Sequence, residues 1–310
     1  MSQSPVVLGL DFGGTKIAVA VCDMSGALLG SVALVSGPDS PAASSLERAM
    51  AASHSLLQDV AAERPLGAVS AATFGIPYDD RVDLAPAIPG WDEIAFGMKL
   101  RAAFPGVALA MATDVKAAAA AENRWGVLAG CDPGIYLNLG TGVAAAIVSG
   151  GSVLRGAHGA AGEIGYNLRS TADVGLPLEQ RVTFEDVTSG RGLMAVADGA
   201  LQQRLTAAAI FELADTDPVA DRIVSAFLDE LSHHVVNLAI AVDPARIAVG
   251  GGMVRSWARI GPALRRALDA GVPFAPQLVL SHFPYDAPLI GALALGVQAA
   301  RSTSGEGAVA

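Results

Sequence analysis

Ile135-Tyr-Leu-Asn-Leu-Gly-Thr-Gly-Val-Ala-Ala-Ala-Ile-Val-Ser-Gly-Gly-Ser152 decides the fold. Two apolar runs flank the turn Gly140-Thr141-Gly142, a pattern that reads as a β-hairpin. The same design stands earlier in the chain. Pro5-Val-Val-Leu-Gly-Leu-Asp11-Phe-Gly13-Gly14-Thr15-Lys16-Ile-Ala-Val-Ala20 runs from an apolar strand through an acid and a Gly-Gly-Thr turn into a second strand. This is strand-turn-strand rather than strand-turn-helix, so neither the Rossmann nor the Walker fingerprint applies. Two such hairpins imply two similar halves, each with a phosphate-sized turn. Gly13 and Gly14 let the backbone approach an anion closely. Thr15 adds a hydroxyl, and Asp11 suits a magnesium ion held through water. A tight Gly-Gly hairpin with a capping Asp accounts for the same residues.

Outward from the hairpins, strand and helix patterns alternate. Leu66 to Phe74 reads as a buried strand ending in Gly75-Ile-Pro77, and such strand ends are where α/β proteins place ligands. Asp83 to Trp91 is a proline-fixed loop whose Trp91 either walls a sugar site or packs. Val107 to Ala112 is a strand that delivers Thr113-Asp114, and Val115 to Trp125 follows as a helix. Asp114 is either its N-cap or a general base for an acceptor hydroxyl. Lys116 either keeps Asp114 ionised or is simply exposed. Gly159-Ala-Ala-Gly-Glu163-Ile-Gly-Tyr166 places a further acid in a Gly-flanked turn. Asn167 to Thr183 has no periodicity. Gly250-Gly-Gly252, between a strand at Ile247 to Val249 and a helix from Ser256, permits flat contact with a nucleotide or tight packing. Further helices are expected at Ala42 to Arg64, Ile94 to Phe104, Leu193 to Phe211, Val219 to Val242 and Ala287 to Ala300. His233 and His234 are expected at a helix edge, and Ser302 to Ala310 is expected to be disordered.

The chain has 310 residues, enough for two domains. Thirty acids against twenty bases give net charge −10, which argues against nucleic acid as a partner. Backbone N–H groups and metal ions still allow a negative protein to bind phosphates locally. Cys22 and Cys131 are the two cysteines, too far apart in sequence for a metal motif, which fits a reduced cytoplasmic protein. Asp11 interrupts the first apolar run, so no signal peptide is read there. Pro133 to Leu154 is uncharged and long enough to span a bilayer, but its glycines, Thr141 and Asn138 favour a strand pair, so no membrane contact is expected.

At these residues the chain resembles the ROK family of repressors and sugar kinases, within the actin-like superfamily. Leu10-Asp-Phe-Gly-Gly-Thr-Lys16 looks like its first phosphate motif and Leu139-Gly-Thr-Gly142 like its second. Pro86-Ala-Ile-Pro-Gly-Trp91 is similar to the loop before the catalytic acid, and Asp114 stands at that acid's place. Ala161-Gly-Glu-Ile-Gly165 and Glu185 through Gly190 match the sugar-binding segments, and Gly250-Gly-Gly252 the adenosine segment.

The resemblance implies an α/β fold of two actin-like (ribonuclease H-like) domains with a cleft between them. The smaller would be residues 1–113 plus 288–310 and the larger 114–287. It implies transfer of the terminal phosphate of ATP, with Mg2+, to a primary hydroxyl of a hexose, amino sugar or sugar-like cyclitol. Asp114 would be the base. Gly75, Pro77, Trp91, Thr113, Glu163, Tyr166 and Glu185 would contact the acceptor. Asp11, Gly13, Gly14, Thr15, Lys16, Gly140, Thr141, Gly142, Gly250, Gly251 and Gly252 would hold the nucleotide. Relatives imply a homodimer.

Four departures qualify it. The family's zinc site, one histidine and three cysteines, falls here on Tyr166, Leu176, Leu178 and Thr183, so no zinc is expected and an apolar loop must replace it. The histidine lost at Tyr166 is also a usual sugar contact. Ala87 and Thr113 replace asparagines of the sugar site. Tyr78 and Ala144 replace glycines. A sugar-responsive transcription regulator is the rival class, but it would need a basic reading helix ahead of Asp11, where ten residues stand. A catalytically silent sugar-binding protein is the other.

Overall fold

A computed structural model describes residues 4–36, 41–85 and 88–303. In chain order the elements are β1 (Val6–Phe12), β2 (Lys16–Asp23), β3 (Leu28–Val35), α1 (Ala42–Ala61), β4 (Leu66–Thr73), β5 (Ile76–Pro77), β6 (Val82–Asp83), α2 (Phe96–Ala103), β7 (Ala108–Thr113) and α3 (Asp114–Trp125). There follow β8 (Gly134–Leu139), β9 (Val143–Ser149), β10 (Ser152–Val153), α4 (Phe184–Thr188), α5 (Gly190–Leu201), α6 (Ala207–Leu213), α7 (Pro218–Val242), β11 (Arg246–Gly250), α8 (Trp257–Gly271), β12 (Gln277–Leu280) and α9 (Ala287–Thr303). Two compact units result. One runs to Arg124 and takes in Arg155–Ala160 and the chain from Asp286 onward; the other is Trp125–Leu154 with Ala161–Tyr285.

The first unit holds a sheet in the order β3-β2-β1-β4-β7. β1, β2 and β3 are antiparallel, and β4 and β7 extend the sheet in parallel with β1. Side chains alternate along β1. Val6, Leu8, Leu10 and Phe12 enter the core with Leu46 and Ala49 of α1. Val7, Gly9 and Asp11 take the opposite face, where α9 packs. A side chain on Gly9 would meet Leu293, and one on Gly291 would fall on the carbonyl of Ala117. The small residues of α9 are what let the helix seat this closely.

The second unit repeats the layout as β10-β9-β8-β11-β12. β8, β9 and β10 are antiparallel, and β11 and β12 are parallel to β8. Ile135, Leu137 and Leu139 form its core with Val249, Leu193, Phe227 and Leu264. This doubled sheet bears out the two similar halves read from the paired hairpins and is the two-domain actin-like α/β class that the family resemblance implies.

Several expectations change. The boundary expected at residue 113 falls later, because α3 buries Ala117 to Ala121 and meets α9; Asp114 therefore lies in the first unit, not the second. Residues 133–154 fold as β8 to β10, and among the described residues no helix is long and apolar enough to cross a membrane. The helix expected over Leu193 to Phe211 breaks after Leu201. Gln202 turns to φ 54°, and the Thr206 hydroxyl accepts the Ala209 N–H to open α6. No Pro or Gly marks that break, so the apolar periodicity runs through it. Pro86, Ala87 and the tail from Ser304 lie outside the described residues.

Candidate functional site

In the first unit, the Gly13 N–H donates to the Lys16 carbonyl at 3.0 Å and closes the turn between β1 and β2. Nothing lies within 4 Å of where a Cβ on Gly14 would stand, and its backbone is not left-handed. The fold itself does not demand glycine there. Asp11 ends up 8% exposed. Its pKa is pushed up to about 7, first by burial and then by the carboxylate of Asp114, with Lys16 opposing and Asp286 adding to the rise. Lys16 is held by Asp286 at 3.0 Å, an exposed pair of small energetic value.

Asp114 opens α3. The Thr113 hydroxyl accepts the Lys116 N–H at 3.2 Å, so Thr113 is the N-cap and Asp114 is not. Asp114 Oδ1 accepts the neighbouring Val115 N–H at 2.9 Å. A carboxylate in the first turn of a helix is favoured in its charged form. Two corrections follow. Thr113 is buried and its hydroxyl oxygen is engaged at the cap, in contrast to the open acceptor contact expected of it. Lys116 is 4% exposed, not a solvated lysine.

Trp91 is a third correction. It is 1% exposed. Its indole N–H donates to Thr73 Oγ1 at 2.9 Å, and its ring lies 5.4 Å from Phe12 and 5.1 Å from Phe74. It packs as a core residue, the second of the two readings its sequence allows. Trp91→Ala is expected to destabilise by about 3–5 kcal/mol. Thermal unfolding checks this; a stable variant with an altered acceptor KM would restore the wall. Gly75 sits at φ 76°, where a Cβ would meet the Asp83 carbonyl at 2.7 Å, and Pro77 is buried in the β5–β6 pair. The fold explains both residues. Tyr78 donates to the carbonyl of His158 at 2.6 Å under the Arg81 guanidinium, which accounts for an aromatic where the family has glycine.

In the second unit, the Gly140 N–H donates to the Gly142 carbonyl at 3.0 Å. The start of α5 docks on this turn: the Gly190 N–H donates to Gly140 O at 2.8 Å, and the Arg191 N–H to Thr141 O at 3.4 Å. Glu185 reaches the same place. Its Oε2 accepts the Val143 N–H at 3.0 Å, and its Oε1 accepts from Arg191 Nη2 at 3.0 Å. A Cβ on Gly142 would stand 2.5 Å from that Oε2. One expected sugar-binding acid is thus bonded directly to the strand leaving the expected phosphate turn. The Ala145 N–H donates to Gly162 O at 2.8 Å, which ties the Glu163 segment to β9. Burial raises the pKa of Tyr166, and Glu185 and Glu163 raise it further. The phenol therefore shares its surroundings with both acids.

Of the glycine triplet, Gly250 abuts the Tyr136 ring, and Gly251 holds φ 90° over the Leu139 carbonyl. Gly252 has nothing within 4 Å of its Cβ position. Only Gly252, like Gly14, lacks a reason within the fold. Sequence reading missed Arg191. The signal available was a basic residue directly after the Ser189-Gly190 helix start. The zinc positions hold Tyr166, Leu176, Leu178 and Thr183, which offer no thiolate or imidazole, so that metal does not fit this chain.

Two copies of one five-stranded layout, each carrying a glycine turn between its first two strands, define an actin-like α/β protein. The chain belongs to the ROK family, whose profile matches residues 7–299. It is 27% identical to an N-acetylmannosamine kinase of Escherichia fergusonii over 93% of this chain and 97% of that one. It is 28% identical to a kanosamine kinase of Amycolatopsis mediterranei over 84% and 85%. A ROK glucokinase from Streptomyces griseus, solved with glucose and AMPPNP, superposes with TM-score 0.71 at 27% identity, covering 94% of this chain and 99% of that one.

Proposed function

We propose that this protein is an ATP-dependent kinase of a hexose-type acceptor, with amino sugars the first candidates. The observation that carries the reading is the first unit's arrangement: a carboxylate at the start of α3, outside the capping role, electrically coupled to Asp11 beside an open glycine turn. Asp114 would accept the proton of the attacking hydroxyl. Glu163 and Glu185 would accept hydrogen bonds from acceptor hydroxyls, a task carboxylates suit because each oxygen takes more than one donor. Gly14 and Gly252 leave room for the nucleotide, and Asp11 would hold its magnesium through water. The bound nucleotide supplies the phosphoryl group. Catalysis by the protein is then largely positioning and charge neutralisation.

Two curated relatives act, by name, on amino sugars, which is why these head the acceptor list. Zinc has no part in this proposal. The test is a screen of hexoses, amino sugars and cyclitols for acceptor-dependent ADP release. An N-acetylated or free amino sugar is expected to give the highest kcat/KM. Tight nucleotide binding without turnover on any acceptor would favour a silent sugar-binding protein instead.

A further inference from the structure

The stretch between Glu163 and Glu185 needs something to fix it, and the expected apolar loop is not it. Its regular structure amounts to short 3-10 turns, and Leu168, Val174 and Val182 are exposed. The contacts that hold it are polar and gather on α7. Arg169 Nε donates to Glu230 Oε1 at 2.6 Å, with Nη2 at 3.4 Å from Oε2. Both side chains are largely shielded from solvent, at 31% and 24% exposure, so the pair is worth more than a surface bridge.

One helical turn on, His234 is 4% exposed. Burial, then His233, holds its pKa below the ordinary value, so the ring is neutral. Asn167 Nδ2 lies 3.3 Å from His234 Nδ1 and donates to it in the neutral tautomer that carries its proton on Nε2. The imidazole centroid lies 4.0 Å from that of Phe184. Phe184 is fully buried and directly precedes Glu185. The two ends of the stretch therefore close on one face of α7, since residues four apart on a helix are neighbours.

We infer that Glu230 and His234 form a metal-free anchor that positions Tyr166 and Glu185 and thereby sets affinity for the acceptor. This rests on the proposal that Glu185 faces the acceptor, and on the family resemblance that sets Tyr166 beside it. Both anchor residues act through others and are positioning residues.

The test uses the full chain. His234→Leu removes the acceptor nitrogen while filling the space. It is expected to raise the acceptor KM about tenfold, below the roughly hundredfold that a 1 Å misplacement can cost, with the ATP KM within about twofold. Amide hydrogen exchange over residues 163–186 should quicken. Arg169→Glu and Glu230→Arg should each do the same, and the double exchange should restore both readouts, which guards against a variant that merely misfolds. Unchanged exchange in a folded His234→Leu protein overturns the anchor. Quickened exchange with both KM values unchanged, or rising together, overturns its role in acceptor affinity. Stoichiometric zinc in the purified protein also overturns it. Absence of turnover by the unaltered protein on every acceptor sinks the kinase reading instead, and the exchange arm still decides the anchor.

Discussion

Asp114→Asn is expected to lower kcat for acceptor-dependent ADP release by about 10²–10⁴-fold, the range that a general base contributes. The ATP KM should change little, because the interaction removed matters chiefly in the transition state. The fold should survive for a stated reason. The cap of α3 is the Thr113 hydroxyl, and asparagine can still accept the Val115 N–H that Asp114 accepts at 2.9 Å. Circular dichroism and thermal unfolding check that side. A well-folded variant that keeps most of its turnover would falsify the assignment of the base.

Asp11→Asn is expected to have two opposite effects. The folded pKa of Asp11 is about 7 against 3.8 for the free side chain, with burial the main cause. Below pH 3.8 the group is protonated in both states and costs nothing. As pH rises from about 4 to 7 the unfolded chain ionises first, so folding stability falls, by roughly 4 kcal/mol once pH exceeds the folded value. The neutral, isosteric variant escapes that loss. Its Tm should exceed that of the parent protein by several degrees at pH 8 and match it near pH 4. Its activity should fall steeply at every pH, because the carboxylate proposed to hold magnesium is gone. Equal pH dependence of Tm in both proteins would mean that Asp11 does not carry the cost. This trade of stability for a buried charge is expected at functional sites.

Much of this was legible in the sequence because it rests on local chemistry. Alternating apolar runs around Gly13-Gly14 and Gly140-Thr141-Gly142 fix two hairpins whatever surrounds them, and their repetition fixed the doubled α/β fold. Ser189 marks a helix start by its own hydroxyl, and Asp114 was recognisable as an acid delivered by a strand to a helix. Other features were decided only when distant segments met. Trp91 looked available for a sugar, yet Phe12 and Phe74, which lie far from it in sequence, enclose it. His234 looked like an edge residue until Phe184 and Asn167 covered it. Glu185 and Val143, 42 positions apart in the chain, are joined through the Val143 N–H. Hairpins and caps depend on neighbours a few residues away, so the chain alone determined them. Burial, the raised pKa of Asp11, and the covering of His234 depend on which surfaces exclude water together, and only the packed sheets and helices decided that.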